Sequence, residues 1–389
     1  MRDNYSKEIM QPHFLGLPLL ALLLSVPAST QASTHTLTLL NPFGSTNAMA
    51  NVINDHGMVG GGAFTQDNAE HFGFLWSNGA FHTVVAPGVE YSDIQGLNND
   101  GVAVGTVVLA GQDGSNAYAW RDGTIKVYPS DVSTSHGPGW EFRSVRDINV
   151  HGDITGTVVN WQPPRPEPQL AGYMSSGSSL VSYTLGLGTY ATALNDHGEV
   201  VGFAASSGMY FHASAFRWSA GNPYPIELES LGGNDSGAND INNNGLIVGL
   251  STDLLGISRA VFWDDNGLSV LDTFAGAERS VANALNESGL IVGGIEASAG
   301  HWVASMWQDG EVIDLNTLLS DEMRDAGWRL HQAHDVNESG WIVGEAFNSR
   351  TLVAAAFVLA PVPELDRAWL MLAGLGVLAL RRRPLSRDR

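Results

Sequence analysis

The 389-residue chain has no cysteine, so disulfides and thiolate chemistry are closed to it and its fold must rest on its own core. Lysine is nearly missing too: between residues 33 and 360, Lys126 is the only one. That span carries 11 basic residues against 35 acidic ones, a net charge near −24. A surface of this sign repels nucleic acid and anionic headgroups, which need clustered Lys and Arg. It suits solubility and cation-bridged contact with acidic polysaccharide. Helical periodicity is absent apart from a weak trace over Leu318–Arg329. No nucleophile elbow, P-loop or zinc-protease motif occurs, and no pair of acidic residues has the spacing of a glycosidase dyad. The sequence therefore assigns no catalytic residue, no metal ligand and no cofactor.

Long apolar runs are confined to the two ends. Phe14–Val26 is uninterrupted and is followed by small residues, with cleavage expected after Ala28 or Ala32. This is the layout of a secretory signal peptide over residues 1–32. At the other end, residues 361–389 hold an apolar stretch from Ala368 to Leu380. As a helix its 13 residues reach roughly 20 Å, short of a hydrocarbon core of about 30 Å. Arg381, Arg382 and Arg383 follow directly and would hold that end on the cytoplasmic side.

What lies between is repetitive. The pattern Asn-x-x-Gly-x-x-x-Gly occurs seven times, starting at Asn54, Asn98, Asn149, Asn195, Asn242, Asn286 and Asn337. Successive copies are 44 to 51 residues apart. Some 20 to 25 residues after each asparagine comes an apolar run that ends at Trp76, Trp120, Trp218, Trp263 or Trp307, with Met174 and Phe357 in the remaining copies. A short turn such as Ser77-Asn78-Gly79 or Gln308-Asp309-Gly310 usually follows, then an alternating run. Asn-Gly and Asp-Gly between apolar runs signal tight hairpins. Each unit thus reads as four short strands, a to d, with a ending at the asparagine and c at the tryptophan.

Seven units of four antiparallel strands predict an all-β fold, a seven-bladed β-propeller over residues 33–360, with a β-solenoid as the alternative. His35–Leu40 reads as a d strand with nothing before it, and the seventh copy stops after its c strand. The N-terminal strand is therefore expected to complete the last blade and remove an open sheet edge. The register tryptophans are expected to pack between blades.

The turns admit a calcium-loop reading, but their fifth positions are mostly apolar, so they are read as turns. The histidines of the turns, His56, His151 and His197, are read as solvated. His331 and His334, three apart, are a possible metal pair without a third ligand. Three longer segments break the repeat: Tyr128–Asp147, Val158–Leu170 and Leu318–Asp335. They carry Trp140, Trp161 and Trp328, and Trp302 opens a c strand. These four are the candidate ligand-binding residues, on a loop face suited to stacking against sugar or binding protein. Carboxylates gathered around the channel would mark a hydrolase instead.

The chain's repeats resemble the HAF family of extracellular repeats, with the closest echoes in HFGFLW (His71–Trp76) and HASAFRW (His212–Trp218). The C-terminal segment resembles the PEP-CTERM sorting signal, through Val362, Pro363, Glu364, the apolar helix and Arg381–Arg383; Leu365 stands where that motif has a second proline. These resemblances imply an exported protein, tethered to the membrane by its tail until an exosortase-type enzyme processes it, and then held at the cell surface or in the extracellular matrix. The expected role is a non-enzymatic binding or structural component associated with exopolysaccharide or biofilm; the alternative is a secreted polysaccharide hydrolase or lyase.

Overall fold

A computed structural model describes residues 35–362, apart from 66–69, 85–87, 112–114, 129–131, 135–136, 161–168, 176–181, 206–211 and 299. The expected signal peptide lies outside the described residues, as do Trp161, Pro363, Glu364, the 368–380 stretch and Arg381–Arg383. Among the described residues no helix is long and apolar enough to cross a membrane.

The fold is an all-β propeller. Its strands pair in antiparallel fours, each opened by an a strand that ends just before a motif asparagine. The a strands are Ala48–Ile53, Val89–Leu97, Gly137–Ile148, Thr189–Leu194, Gly232–Ile241, Arg279–Leu285 and Trp328–Val336. Each touches the a strand of the next set, and the seventh touches the first, so together they wall a central channel. The last set is completed as expected: His35–Leu40 pairs with Val353–Pro361, from His35 opposite Pro361 to Leu40 opposite Ala356. Leu40 is 1 % exposed in a cluster with Ala50, Phe74 and Val358, joining the last set to the first.

The core is spread between neighbouring sets. Trp218, Trp263 and Trp307 are buried, as are Met174 and Phe357 in the deviant copies, while Trp76 and Trp120 are half-buried. The indole nitrogens of Trp263 and Trp307 donate to the Glu229 and Asp272 carbonyls, on the linkers entering from the preceding set, at 2.8 and 2.7 Å. These tryptophans hold one set against the next. The hairpins after them include tight turns with Asn78, Asp122 and Asp309 at φ of 47–53°, each followed by a glycine at positive φ.

Each half of the motif has a steric reason. Its first glycine, from Gly57 to Gly340, has φ between 72° and 83°, a left-handed conformation that costs other residues strain. Its second glycine faces a bulge that recurs in every a strand, between Ala50 and Val52 in the first and Ala333 and Asp335 in the last. A Cβ at Gly61, Gly249 or Gly344 would overlap the backbone oxygen of Met49, Gly237 or Gln332.

Two expectations need correction. The segments Tyr128–Asp147 and Leu318–Asp335 are not simply irregular loops. Gly137–Ile148 and Trp328–Val336 are strands; the first also pairs with an extra strand, Val132–Thr134. The weak helical trace is a five-residue helix, Asp321–Asp325, capped by Ser320.

Candidate functional site

The motif asparagines form a closed ring. Each sends its Nδ2 to the backbone oxygen of the next: Asn54 to Asn98, Asn98 to Asn149, and so on until Asn337 returns to Asn54, at 3.0–3.2 Å throughout. Each Oδ1 accepts from the N–H four residues on, at 2.9–3.0 Å. The side chain thus shapes its own hairpin with one atom and ties it to the neighbour with the other. Aspartate has no donor for the second task, and serine lacks a separate atom for each. The seven are 4–6 % exposed. Their oxygens point at backbone amides, which is why the turns need no calcium ligand at the fifth position.

The next residue in each turn builds a second ring at the channel's turn side. Asp55 N–H donates to Asn99 Oδ1, Val150 to Asp196, Asp196 to Asn243, Asn243 to Glu287, Glu287 to Glu338 and Glu338 to Asp55. The exception is Asn99, whose neighbour Val150 has no side-chain acceptor. A cavity of about 210 Å³ lies inside these rings.

Deeper in, two residues before the asparagine, the third, fifth and seventh sets carry Asp147, Asp240 and Asp335. Val52, Gly96, Ala193 and Ala284 occupy that position elsewhere. Each aspartate accepts from the next residue's N–H with Oδ1 and from the following set with Oδ2: Leu194 for Asp147, Leu285 for Asp240 and Ile53 for Asp335, at 2.8–3.0 Å. Burial raises all three acids, against these amide bonds, Asp240 to about 7 and Asp335 to about 8; the three carboxylates also repel one another. Three acidic residues far apart in the sequence are therefore gathered around the channel. Their oxygens are occupied by backbone, and they latch one set to the next.

Three residues before the asparagine, the bulge brings a further position into the channel. Thr192, Asn239, Asn283, His334 and Asn51 each bond a carbonyl of the next set: Ala238, Ala282, Ala333, Ala50 and Ile94, at 2.7–2.9 Å. Gln95 and Arg146 depart from this pattern. Arg146 Nη1 donates to Gln95 Oε1 at 3.0 Å, and Gln95 Nε2 donates to Asp93. Around this level lies a cavity of about 320 Å³, lined by Asn51, Gln95, Arg146, Asn283, Gln332 and His334.

His334 lies on a strand, where a three-residue spacing to His331 does not make the stacked pair of a helical turn. Its Nδ1 meets the Ala50 carbonyl, which only accepts, so Nδ1 carries the proton. Burial lowers its pKa, keeping the ring neutral and leaving Nε2 a lone-pair acceptor.

Beside Gln95 sits a polar group that no other set repeats among the described residues. Asp93 accepts from Asn51 Nδ2 at 3.0 Å and from Gln95 Nε2, and its charge acts on the Tyr91 hydroxyl. Tyr91 stacks on His71 with ring centres 4.5 Å apart. Burial raises Asp93, opposed by the charge of His71; burial and the Asp93 charge push Tyr91 up to about 12.

Of the four nominated tryptophans, Trp161 lies outside the described residues, and the other three are not brought together here. Trp140 is 1 % exposed and packs in the core of the third set with Phe142 and Tyr173, a correction to its expected place on a ligand face. The reason is that the segment read as a loop is strand at this point. Trp302 is half-buried against Gly294, and Trp328 packs on the core of the last set. The groups that sequence reasoning missed, Asn51, Gln95, Arg146 and Asn283, share one column of the aligned repeats; their signal is the polar character of that column.

No family model matches the chain, and no curated protein matches it in sequence. Among solved structures it is similar to an acylaminoacyl peptidase of Pyrococcus horikoshii, at 8 % identity and TM-score 0.50, over 82 % of this chain and 52 % of that one. It thus spans about half the length of that peptidase. A Trypanosoma rangeli sialidase in complex with sialic acid matches at 8 % identity and TM-score 0.38, over 87 % of this chain and 60 % of that one. A six-bladed β-propeller fungal lectin from Aleuria aurantia matches at 12 % identity and TM-score 0.27, over 60 % and 81 %. At these identities the likeness speaks to the fold alone.

Proposed function

We propose that this protein is an exported, non-enzymatic component of the cell surface or extracellular matrix, and that its propeller binds a hydroxyl-rich ligand, a carbohydrate, in the loop-side cavity of the channel. One contrast carries the reading. On the turn side the asparagines and most of the rim side chains are consumed in bonds between sets. On the loop side, groups with spare hydrogen-bonding capacity surround a cavity of about 320 Å³, within the range of about 300–1,000 Å³ usual for small-ligand pockets. Export and surface retention rest on the resemblance of the two ends to a signal peptide and a PEP-CTERM tail, and of the repeats to HAF proteins. An exosortase-type processing enzyme and exopolysaccharide are the corresponding partners.

A glycan-array screen of the mature protein tests the binding. The parent is expected to retain a defined set of glycans, and Asn283→Leu with Gln332→Leu to lose them while a turn-side change, Glu287→Gln, keeps them. Retention by the double variant would overturn the assignment of the cavity.

A second reading, a hydrolase or lyase, is favoured by the Asp93–Tyr91–His71 group beside the same cavity. Release of new reducing ends from an acidic polysaccharide, abolished by Asp93→Asn, would establish it in place of the first.

A further inference from the structure

The loop-side cavity holds acceptors on one wall and a donor fork on the other. Asn51 and Asn283 spend their Nδ2 groups on the next set, so among the described residues each leaves its Oδ1 without a bond. His334 adds Nε2, a third acceptor, by the tautomer argument above. Across from them Arg146 commits Nη1 to Gln95 Oε1, leaving the rest of its guanidinium for a ligand. It is the one cation among the residues that line this cavity.

We propose that this cavity takes a hydroxylated monocarboxylate, a uronic acid residue of an acidic polysaccharide, with its carboxylate on Arg146 and its hydroxyls donating to Asn51, Asn283 and His334. The proposal rests on the carbohydrate-binding reading and names the class of sugar. Hydroxyls are the ligand groups that satisfy a crescent of bare acceptors, and a carboxylate matches the planar fork of arginine. A single guanidinium compensates one negative charge. A dianionic phosphate would meet Asp93 and the channel aspartates with half its charge unpaired. Those aspartates are themselves held up, Asp240 to about 7 and Asp335 to about 8, so near neutrality the channel carries less negative charge than its composition implies.

Titration calorimetry on the mature protein, with sodium glucuronate, glucose and acetate as probes, tests this. Glucuronate is expected to bind at least about tenfold more tightly than either, because glucose lacks the charged hydrogen bond and acetate the hydroxyls. Arg146→Met should bring glucuronate down to the affinity of glucose, with the melting temperature of the parent. Arg146→Lys, which keeps the charge and loses the fork, should fall between. Asn283→Leu should weaken both sugars together.

Equal affinity of the parent for glucose and glucuronate would overturn the acid-sugar proposal and leave carbohydrate binding standing. So would a preference for glucuronate that survives in a folded Arg146→Met. Failure of the parent to bind either sugar would overturn both readings.

Discussion

Replacing one ring asparagine by aspartate isolates a single atom of the design. Asn242 accepts from the N–H groups of Asn244 and Leu246 at 3.1 and 3.0 Å, and donates Nδ2 to the Asn286 oxygen at 3.2 Å. Asn242→Asp keeps the two accepted bonds and sets an oxygen against the Asn286 carbonyl. The loss is one hydrogen bond, and a buried carboxylate oxygen now faces a carbonyl that keeps only its bond from Gly289 N–H, at a cost of about 1–3 kcal/mol at neutral pH. The penalty depends on protonation, because a protonated carboxyl can donate where the amide did. The new acid is therefore raised in the folded state, which binds more protons than the unfolded state above the ordinary aspartate range. Its deficit should be small near pH 4 and grow as pH rises through the raised value. Urea unfolding of parent and variant at several pH values, compared at equal m-values, reads this directly. A variant as stable as the parent at pH 7, or a deficit identical at pH 4 and pH 8, would refute the donor argument.

Asp240 and Asp335 are raised above the unfolded value, so the folded state binds more protons between about pH 4 and 8 and parent stability should fall as pH rises across that window. Asp335→Asn should flatten the slope in the same denaturation series, and an unchanged slope would exclude Asp335 as its source. Gly249→Ala sets a Cβ against the Gly237 oxygen and is expected to lower the melting temperature sharply, whereas alanine at the exposed Leu255 should leave it within a degree or two. Leu40→Ala should cost about 2–5 kcal/mol in denaturant, and deletion of residues 33–40 more, with aggregation visible by light scattering; a deletion that melts like the parent would refute closure by the N-terminal strand. Trp328→Ala should reduce stability and leave glycan binding intact, which the same array measures.

Much of the fold could be read before any coordinates. A repeat marked by Asn-x-x-Gly-x-x-x-Gly fixes where each a strand ends, and the d strand missing after Phe357 points to His35–Leu40. The hairpins at Asn78, Asp122 and Asp309 follow from local backbone preference. Trp140 was misplaced because a tryptophan outside the repeat register looks like a loop residue, whereas here the a strand extends back past it into the core. The candidate site was less legible for a different reason. Which residues of an a strand face the channel depends on the bulge, and the bulge shows in sequence only as a glycine seven places after the asparagine. Once it is known, Asp147, Asp240 and Asp335 fall into one column and Arg146 stands out in the next.

The pairing of His35 with Pro361 sets a timetable. Among the described residues the first strand has no partner until the last has been made, so that sheet edge stays open until every set between them has been synthesised. Contacts this distant in sequence make for slow folding. Were the chain exported as proposed above, the delay would keep it open during passage through a translocation pore, and the ring would close once both strands had crossed.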